Sequence, residues 1–160
     1  MGGLLKLSGL IDAITERIGK LVMWLILAAV IISAGNAVSR FALNISSNAM
    51  LEVQWYMFSA VFMFCSGYVL NKNEHIRIDI VYGRWSRRTQ HWIDLFGHVF
   101  FLMPFVLLMT WFFTPYVLQS FRSQEVSTNA GGLIIWPAKA LLLIGFAQLS
   151  LQEFSEIIKK

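Results

Sequence analysis

The sequence predicts an all-α integral membrane protein with four transmembrane helices, an N-terminal amphipathic interfacial helix and both termini in the cytoplasm. Four long apolar stretches lie at about residues 21–38, 53–70, 93–113 and 132–151. Each is close to the roughly 20 residues with which an α-helix crosses a hydrocarbon core of about 30 Å. The 160 residues are 57% hydrophobic and 14% charged, which leaves little material for a separate aqueous domain. We therefore predict a single membrane domain over residues 1–160.

The basic residues sort by loop, and this predicts the orientation of the helices. Ten of the 13 lysines and arginines lie before the first stretch, between the second and third, or after the fourth: Lys6, Arg17, Lys20, Lys72, Arg77, Arg84, Arg87, Arg88, Lys159 and Lys160. The opposite side carries only Arg40 and Arg122. Because positively charged loops stay in the cytoplasm, we place both termini and the middle loop there. The net charge of +4 forms no single patch, so no nucleic-acid partner is predicted.

Tryptophans and tyrosines mark both predicted edges of the bilayer, where amphipathic rings favour the headgroup level. The cytoplasmic edge carries Trp24, Tyr68, Trp85 and Trp92. The outer edge carries Trp55, Tyr56, Trp111, Tyr116 and Trp136. The aromatic residues therefore predict the same topology as the charges.

The segment before the first span, residues 1–20, is amphipathic. Leu7, Leu10 and Ile14 recur at helical spacing, whereas Asp12 and Glu16 take the other side. We predict an arm that lies flat in the cytoplasmic interface, and an N-terminal extension of the first helix is the alternative. A cleaved secretory signal is a further alternative for the first span, although no small-residue cleavage site follows it.

Caps and prolines predict details of the helices. Ser47 or Asn48 is a suitable cap for the second helix, Ser86 caps the third, and Pro104 predicts a kink within the third. Polar and apolar residues alternate over 75–81, which is the periodicity of a strand, and we place this segment at the interface or against protein.

Lys139 is the one ionisable residue that the sequence places well inside a predicted span. Three interpretations stay open: the side chain extends to the outer interface, it pairs with Glu52 at the same outer level, or it faces a partner or substrate. The interior is otherwise predicted to be poor in ionisable groups, which argues against a carrier that works alone.

The histidines and the single cysteine, Cys65, predict no cofactor or metal site. His91 and His98 share one face of the third helix at different depths, whereas a haem needs two ligands that face each other. No phosphate-binding glycine loop or nucleophile elbow occurs. We therefore predict a protein that is not an enzyme.

Three segments together resemble a known family. Glu52-Val53-Gln54-Trp55-Tyr56 opens the second helix, and His75-Ile76-Arg77-Ile78-Asp79 follows that helix. Ile135-Trp136-Pro137-Ala138-Lys139 opens the fourth helix and is followed by Ile144-Gly145-Phe146. In this order, over about residues 20–155, the sequence resembles the small (Q, DctQ-type) membrane subunit of tripartite ATP-independent periplasmic (TRAP) transporters.

The resemblance implies a non-catalytic scaffold subunit, in the bacterial inner membrane, of a sodium-driven importer of organic acids. It implies a large membrane subunit and a periplasmic substrate-binding protein as partners, together with membrane lipid. The residues to which it gives partner or structural roles are Glu52, Lys139, His75, Arg77, Asp79, Trp55 and Trp136. The competing hypothesis is a membrane-anchor subunit of a respiratory complex.

Overall fold

The computed structural model describes residues 2–74 and 82–160, and in these residues the chain is built from α-helices. They are α1 (Gly2–Leu43), α2 (Asn48–Lys72), α3 (Arg87–Gly97), α4 (Met103–Ser123) and α5 (Trp136–Lys159). A short π-helical segment joins α3 to α4, so that the two form one continuous rod. Within the described residues, α1, α2, the α3–α4 rod and α5 are long and apolar enough to cross a membrane, which confirms the prediction of an all-α chain with four such helices. The cytoplasmic location of both termini stays a prediction.

Helix α5 lies at the centre of the bundle and packs against α1, α2 and α4. Helix α1 packs mainly against α2, and α4 mainly against α5. Glycines permit the closest approaches: a β-carbon added at Gly145 of α5 would lie 2.6 Å from the Met63 Cβ of α2. One added at Gly19 of α1 would lie 2.8 Å from the Tyr68 Cβ of α2. Small residues at such contacts let the backbones approach, which is how helices associate where lipid removes the hydrophobic driving force.

The α3–α4 rod confirms the cap and shows what the proline does. The Ser86 hydroxyl accepts a hydrogen bond from the Thr89 N–H at 3.3 Å, so Ser86 caps α3 as predicted. Pro104 lacks the N–H that would bond one turn back, and the helix widens into the π-helical segment His98–Leu102 just before it. The helix type therefore changes next to Pro104, and the kink itself stays a prediction. By contrast, Ser47 begins α2 without a side-chain capping bond.

Residues 2–20 are the first part of α1, which runs for 42 residues without interruption. A helix of that length is about 63 Å long, twice the thickness of a hydrocarbon core. The described residues therefore form no separate arm. The alternative prediction, an N-terminal extension of the first helix, matches the structure. Ser8, Thr15 and Gly19 are buried in the bundle, whereas Leu7 and Leu10 face outward. The location of this extension at the cytoplasmic interface stays a prediction.

The interior of the bundle holds more polar groups than the sequence predicted. Its buried polar side chains are Ser8, Thr15, Asn36, Glu52, Gln54, Ser120, Gln148, Gln152, Glu153 and Ser155. Large apolar side chains cover the outside, as expected for a surface that meets lipid or another membrane subunit. Glu153, whose side chain is completely buried, lies two residues beyond the fourth predicted span, so it does not test the prediction that the spans are poor in ionisable groups.

Candidate functional site: two polar clusters that join the helices

Glu52, in the second turn of α2, holds the loop that connects α4 to α5. Its side chain is buried, and its carboxylate accepts hydrogen bonds from the Asn129 Nδ2 at 2.8 Å and the Leu133 N–H at 2.6 Å. The Ser127 hydroxyl donates a further short bond to the same carboxylate. The loop approaches so closely that a β-carbon at Gly132 would lie 2.9 Å from a carboxylate oxygen of Glu52. Several hydrogen bonds therefore attach this helix end to this loop.

Lys139, in the first turn of α5, holds the same loop from the other side. Its Nζ donates to the Glu125 Oε2 at 2.5 Å and lies 4.1 Å from the centroid of the Tyr116 ring. The Ser120 hydroxyl donates to the same carboxylate oxygen at 2.7 Å. The bond from the Lys139 ammonium lowers the pKa of the Glu125 carboxyl. The predicted pair between Lys139 and Glu52 is not formed, because Lys139 pairs with Glu125 of the loop. The other two interpretations of Lys139 do not concern this contact.

The loop itself is a small hairpin. Its backbone hydrogen bonds join the Ser127 N–H to the Leu133 carbonyl and the Ile135 N–H to the Glu125 carbonyl, both at 2.9 Å. The Tyr56 hydroxyl donates to the Ile134 carbonyl at 3.1 Å. We call Glu52, Glu125, Ser127, Asn129 and Lys139 the loop cluster. It makes the predicted outer face of the bundle a fixed surface.

The two tryptophans given partner or structural roles differ in their surroundings. Trp136 packs edge-on against the ring of Phe121, with the ring centroids 5.2 Å apart, and this contact joins α5 to α4. Trp55, one turn from Glu52 along α2, is 60% exposed. Trp136 therefore contacts a neighbouring helix within the chain, whereas the side chain of Trp55 is exposed, and the roles of both stay predictions.

A second cluster joins α1 to α5 at the opposite end of the bundle. The Asp12 carboxylate accepts hydrogen bonds from the Gln152 Nε2 and the Ser155 hydroxyl, both at 2.8 Å, and from the Lys159 Nζ at 3.1 Å. The Ser8 and Ser155 hydroxyls lie 2.7 Å apart. We call Ser8, Asp12, Gln152, Ser155 and Lys159 the terminal cluster. It packs the N-terminal part of α1 onto α5.

The buried Glu153 joins α5 to the π-helical segment. The Nδ1 of His98 lies 2.8 Å from one carboxylate oxygen of Glu153 and 3.0 Å from the other. This contact places the first residue of the π-helical segment against the central helix. His98, which was considered as a haem ligand, thus contacts the carboxylate of Glu153 through its Nδ1 atom.

Sequence reasoning misses Asp12, Glu125 and Glu153 as interaction sites. The sequence does contain a pattern that indicates a polar contact face on α5. Gln148, Gln152, Ser155 and Lys159 recur at intervals of three or four residues, which places them on one side of the helix. His75, Arg77 and Asp79, like the strand-like segment 75–81, lie outside the described residues. Within residues 2–74 and 82–160, no group of three or more His, Cys, Asp or Glu residues is arranged to hold a metal ion.

A family model described as the DctQ component of tripartite ATP-independent periplasmic transporters matches residues 29–160. The chain belongs to this family. The match includes all of α2–α5, and so it contains the whole loop cluster and the α5 side of the terminal cluster. No curated protein matches the chain significantly.

As a member of this family, the chain is a membrane subunit of a transporter. The family name states that such transporters are tripartite, and a DctQ component accordingly works with two further components. The membrane-spanning helices of this DctQ component agree with a multi-pass membrane protein. The polar clusters described above are then features of a transporter subunit, and their chemistry is that of helix-to-helix attachment.

Proposed function

We propose that this DctQ component is a non-catalytic scaffold subunit of a sodium-coupled TRAP transporter that imports organic acids across the bacterial inner membrane. Its partners are a large membrane subunit, which carries the substrate and sodium sites, and a periplasmic substrate-binding protein. The family match supports the transporter assignment. The scaffold role, the partners' identities, the coupling ion and the substrate class are parts of the proposal.

The observation that carries the scaffold role is the use of polar groups at both ends of the bundle to attach helices to each other. Glu52 and Lys139 hold one loop from two helices, and Asp12 gathers three donors from α5. Carriers, in contrast, build substrate sites from broken helices and polar groups at mid-membrane. A subunit with fixed ends suits the stationary part of a machine in which another subunit moves.

Residues exposed on this rigid frame supply the surfaces for partners. Trp55 stands next to the loop cluster, so a protein that binds the outer face meets an aromatic side chain on a fixed support. Helix α4 packs mainly on α5 and leaves Phe105, Trp111 and Phe112 exposed along its length. We assign this face of α4 to lipid or to the large membrane subunit.

Affinity purification of the chain in mild detergent, expressed at its native level, tests the assembly. Mass spectrometry is expected to identify a much larger multi-span membrane protein in one-to-one ratio, with a periplasmic binding protein in smaller amount. Recovery with haem- and flavin-containing subunits would instead support the respiratory anchor, and an absorption spectrum of the same sample detects haem directly. Recovery of the chain alone would contradict the scaffold role.

Reconstitution in liposomes tests the transport part. Uptake of a radiolabelled organic acid is expected only when both membrane subunits, the binding protein and an inward sodium gradient are present. Removal of the gradient with a sodium ionophore is the matched control. Uptake by the chain alone would show a self-sufficient carrier and refute the proposal.

A further inference from the structure

A cavity beside the first half of α3 combines cationic side chains with an exposed tryptophan. It has a volume of about 530 Å³ and is lined by Arg88, His91, Trp92, Leu95 and Lys160. The helix contributes four of these five residues at positions one turn apart or adjacent, and the end of the chain beyond α5 contributes the fifth.

The charges in this cavity differ in whether they already have a partner. The Lys160 Nζ donates to the Asp94 Oδ2 at 2.6 Å, and both side chains are largely buried, so the ammonium of Lys160 already has a partner. The side chains of Arg88 and His91 make no hydrogen bond or ion pair with the described residues. The cavity therefore offers unused side-chain donors beside an ion pair that joins α3 to the end of α5.

The apolar residues of the cavity indicate where it lies relative to the bilayer. Trp92 is 65% exposed, and Leu95 follows it one turn further into the span. Tryptophan favours the headgroup level, so Arg88, which is nearer the start of α3, lies on the water side of Trp92. In the predicted orientation this is the cytoplasmic leaflet, where basic pockets attract anionic lipid headgroups.

We propose that this cavity binds the phosphate group of an anionic phospholipid of the cytoplasmic leaflet. Arg88 and His91 donate hydrogen bonds to phosphate oxygens, and Trp92 and Leu95 contact the beginning of the acyl chains. The guanidinium is suited to a phosphate because its planar donors match two of the oxygens. A bound lipid then fills the cavity between α3 and the end of α5.

Native mass spectrometry of the full chain in mild detergent, with phosphatidylglycerol or phosphatidylcholine added, tests this site. The wild-type chain is expected to retain phosphatidylglycerol in preference to phosphatidylcholine. The double variant Arg88→Ala/His91→Ala is expected to bind phosphatidylglycerol about fivefold to tenfold more weakly. The matched control is Arg84→Ala/Arg87→Ala, which removes two nearby positive charges from residues that do not line the cavity. It is expected to bind within about twofold of the wild type.

Three results would overturn the proposal. Equal losses in the cavity variant and the control would show attraction by diffuse positive charge. Equal retention of the two lipids by the wild type would show no preference for an anionic lipid, and this comparison needs no variant to fold. Displacement of phosphatidylglycerol by millimolar inorganic phosphate would assign the site to soluble phosphate. Because the measurement uses this chain alone, each of these results leaves the scaffold proposal in place.

Discussion

Gly145 is a point of very close approach between α5 and α2, and one added methyl group there tests how the bundle is packed. In Gly145→Ala the new β-carbon would lie 2.6 Å from the Met63 Cβ and 3.0 Å from the Met63 Cε. Carbon atoms in contact prefer about 3.5–4.0 Å, so the helices must separate locally by about 1 Å. The Cε is the end of a flexible side chain and moves aside, whereas the Cβ is fixed to the backbone. Overpacking of this kind costs about 1–3 kcal/mol.

Alanine has a higher intrinsic helix preference than glycine, and this opposes the packing cost by about 1 kcal/mol. A second glycine-to-alanine variant serves as a control for this preference. Gly35, inside α1, has no atom within 4 Å of the position of an added β-carbon, so Gly35→Ala gains the preference without the contact. The difference between the two variants isolates the packing cost. We expect Gly145→Ala to be about 1–3 kcal/mol less stable than Gly35→Ala.

The assay is unfolding of the purified chain in mixed micelles by increasing SDS, followed by circular dichroism. A midpoint for Gly145→Ala clearly below that of Gly35→Ala is the expected result. Equal free energies of unfolding, within about 0.5 kcal/mol, would refute the reasoning, because the helices would then have room at this contact.

The remaining predictions concern the two clusters and the buried pair. Glu52→Gln weakens the charge-assisted bonds to the loop, so the amide of Leu133 is expected to exchange hydrogen about tenfold faster, as measured by hydrogen exchange with mass spectrometry. Glu125→Gln removes the partner of the α5 lysine and is expected to lower the thermal unfolding temperature at pH 7, with an effect that disappears in acid. His98→Ala leaves the carboxylate of the buried pair without its partner, and we expect a loss of about 3 kcal/mol in the free energy of unfolding in SDS titration.

Controls and contradicting outcomes are specific to each variant. Glu74→Gln makes the same chemical change as Glu52→Gln at an exposed position after α2, and its loop exchange is expected to match the wild type. Unchanged exchange in Glu52→Gln would show that the loop is held without the carboxylate. For the buried pair, replacement of both His98 and Glu153 by apolar residues is expected to restore part of the stability. A double variant as unstable as the sum of the two single variants would argue against a direct interaction.

The direction of the pH effect follows from the pKa of Glu125. The Lys139 ammonium lowers that pKa in the folded chain below its ordinary value of 4.5, so folding favours the charged carboxylate. The contribution is therefore fully present above pH 4.5 and is lost as the pH falls through the lower, folded-state pKa. Thermal unfolding temperatures of the wild type and Glu125→Gln are expected to differ at pH 7 and to converge below that pKa. A constant difference down to the lowest pH would contradict an ionic contribution.

The four long helices and the cap of α3 could be predicted because the causes of these features are local. Runs of apolar residues long enough to cross a bilayer specify spans, and Ser86 caps α3 because its hydroxyl lies three residues before an available N–H. Pro104 likewise disturbs its own helix through the N–H that it lacks. The family resemblance depended on three local segments, and the match over residues 29–160 confirmed it.

The partners of the charged side chains could not be predicted in the same way. Glu52 and Lys139 belong to one level of the bundle, which suggested a direct pair. The loop between α4 and α5 instead folds back as a hairpin and gives each of them a nearer partner, Asn129 and Glu125 among them. The path of a loop depends on backbone contacts that form only after the helices are assembled.

The amphipathic pattern of residues 1–20 separates what could be predicted from the sequence from what depends on the assembled helices. Residue patterns alone predicted four helices long and apolar enough to cross a membrane, and a helical N-terminal segment. The face that packs is known from the assembled helices: Ser8, Asp12 and Thr15 turn toward the bundle, and Leu7 and Leu10 turn away. This arrangement follows from the surroundings of a membrane protein. Lipid accommodates large apolar side chains on the outside, whereas buried polar groups need partners, and those partners come from α5, far along the chain.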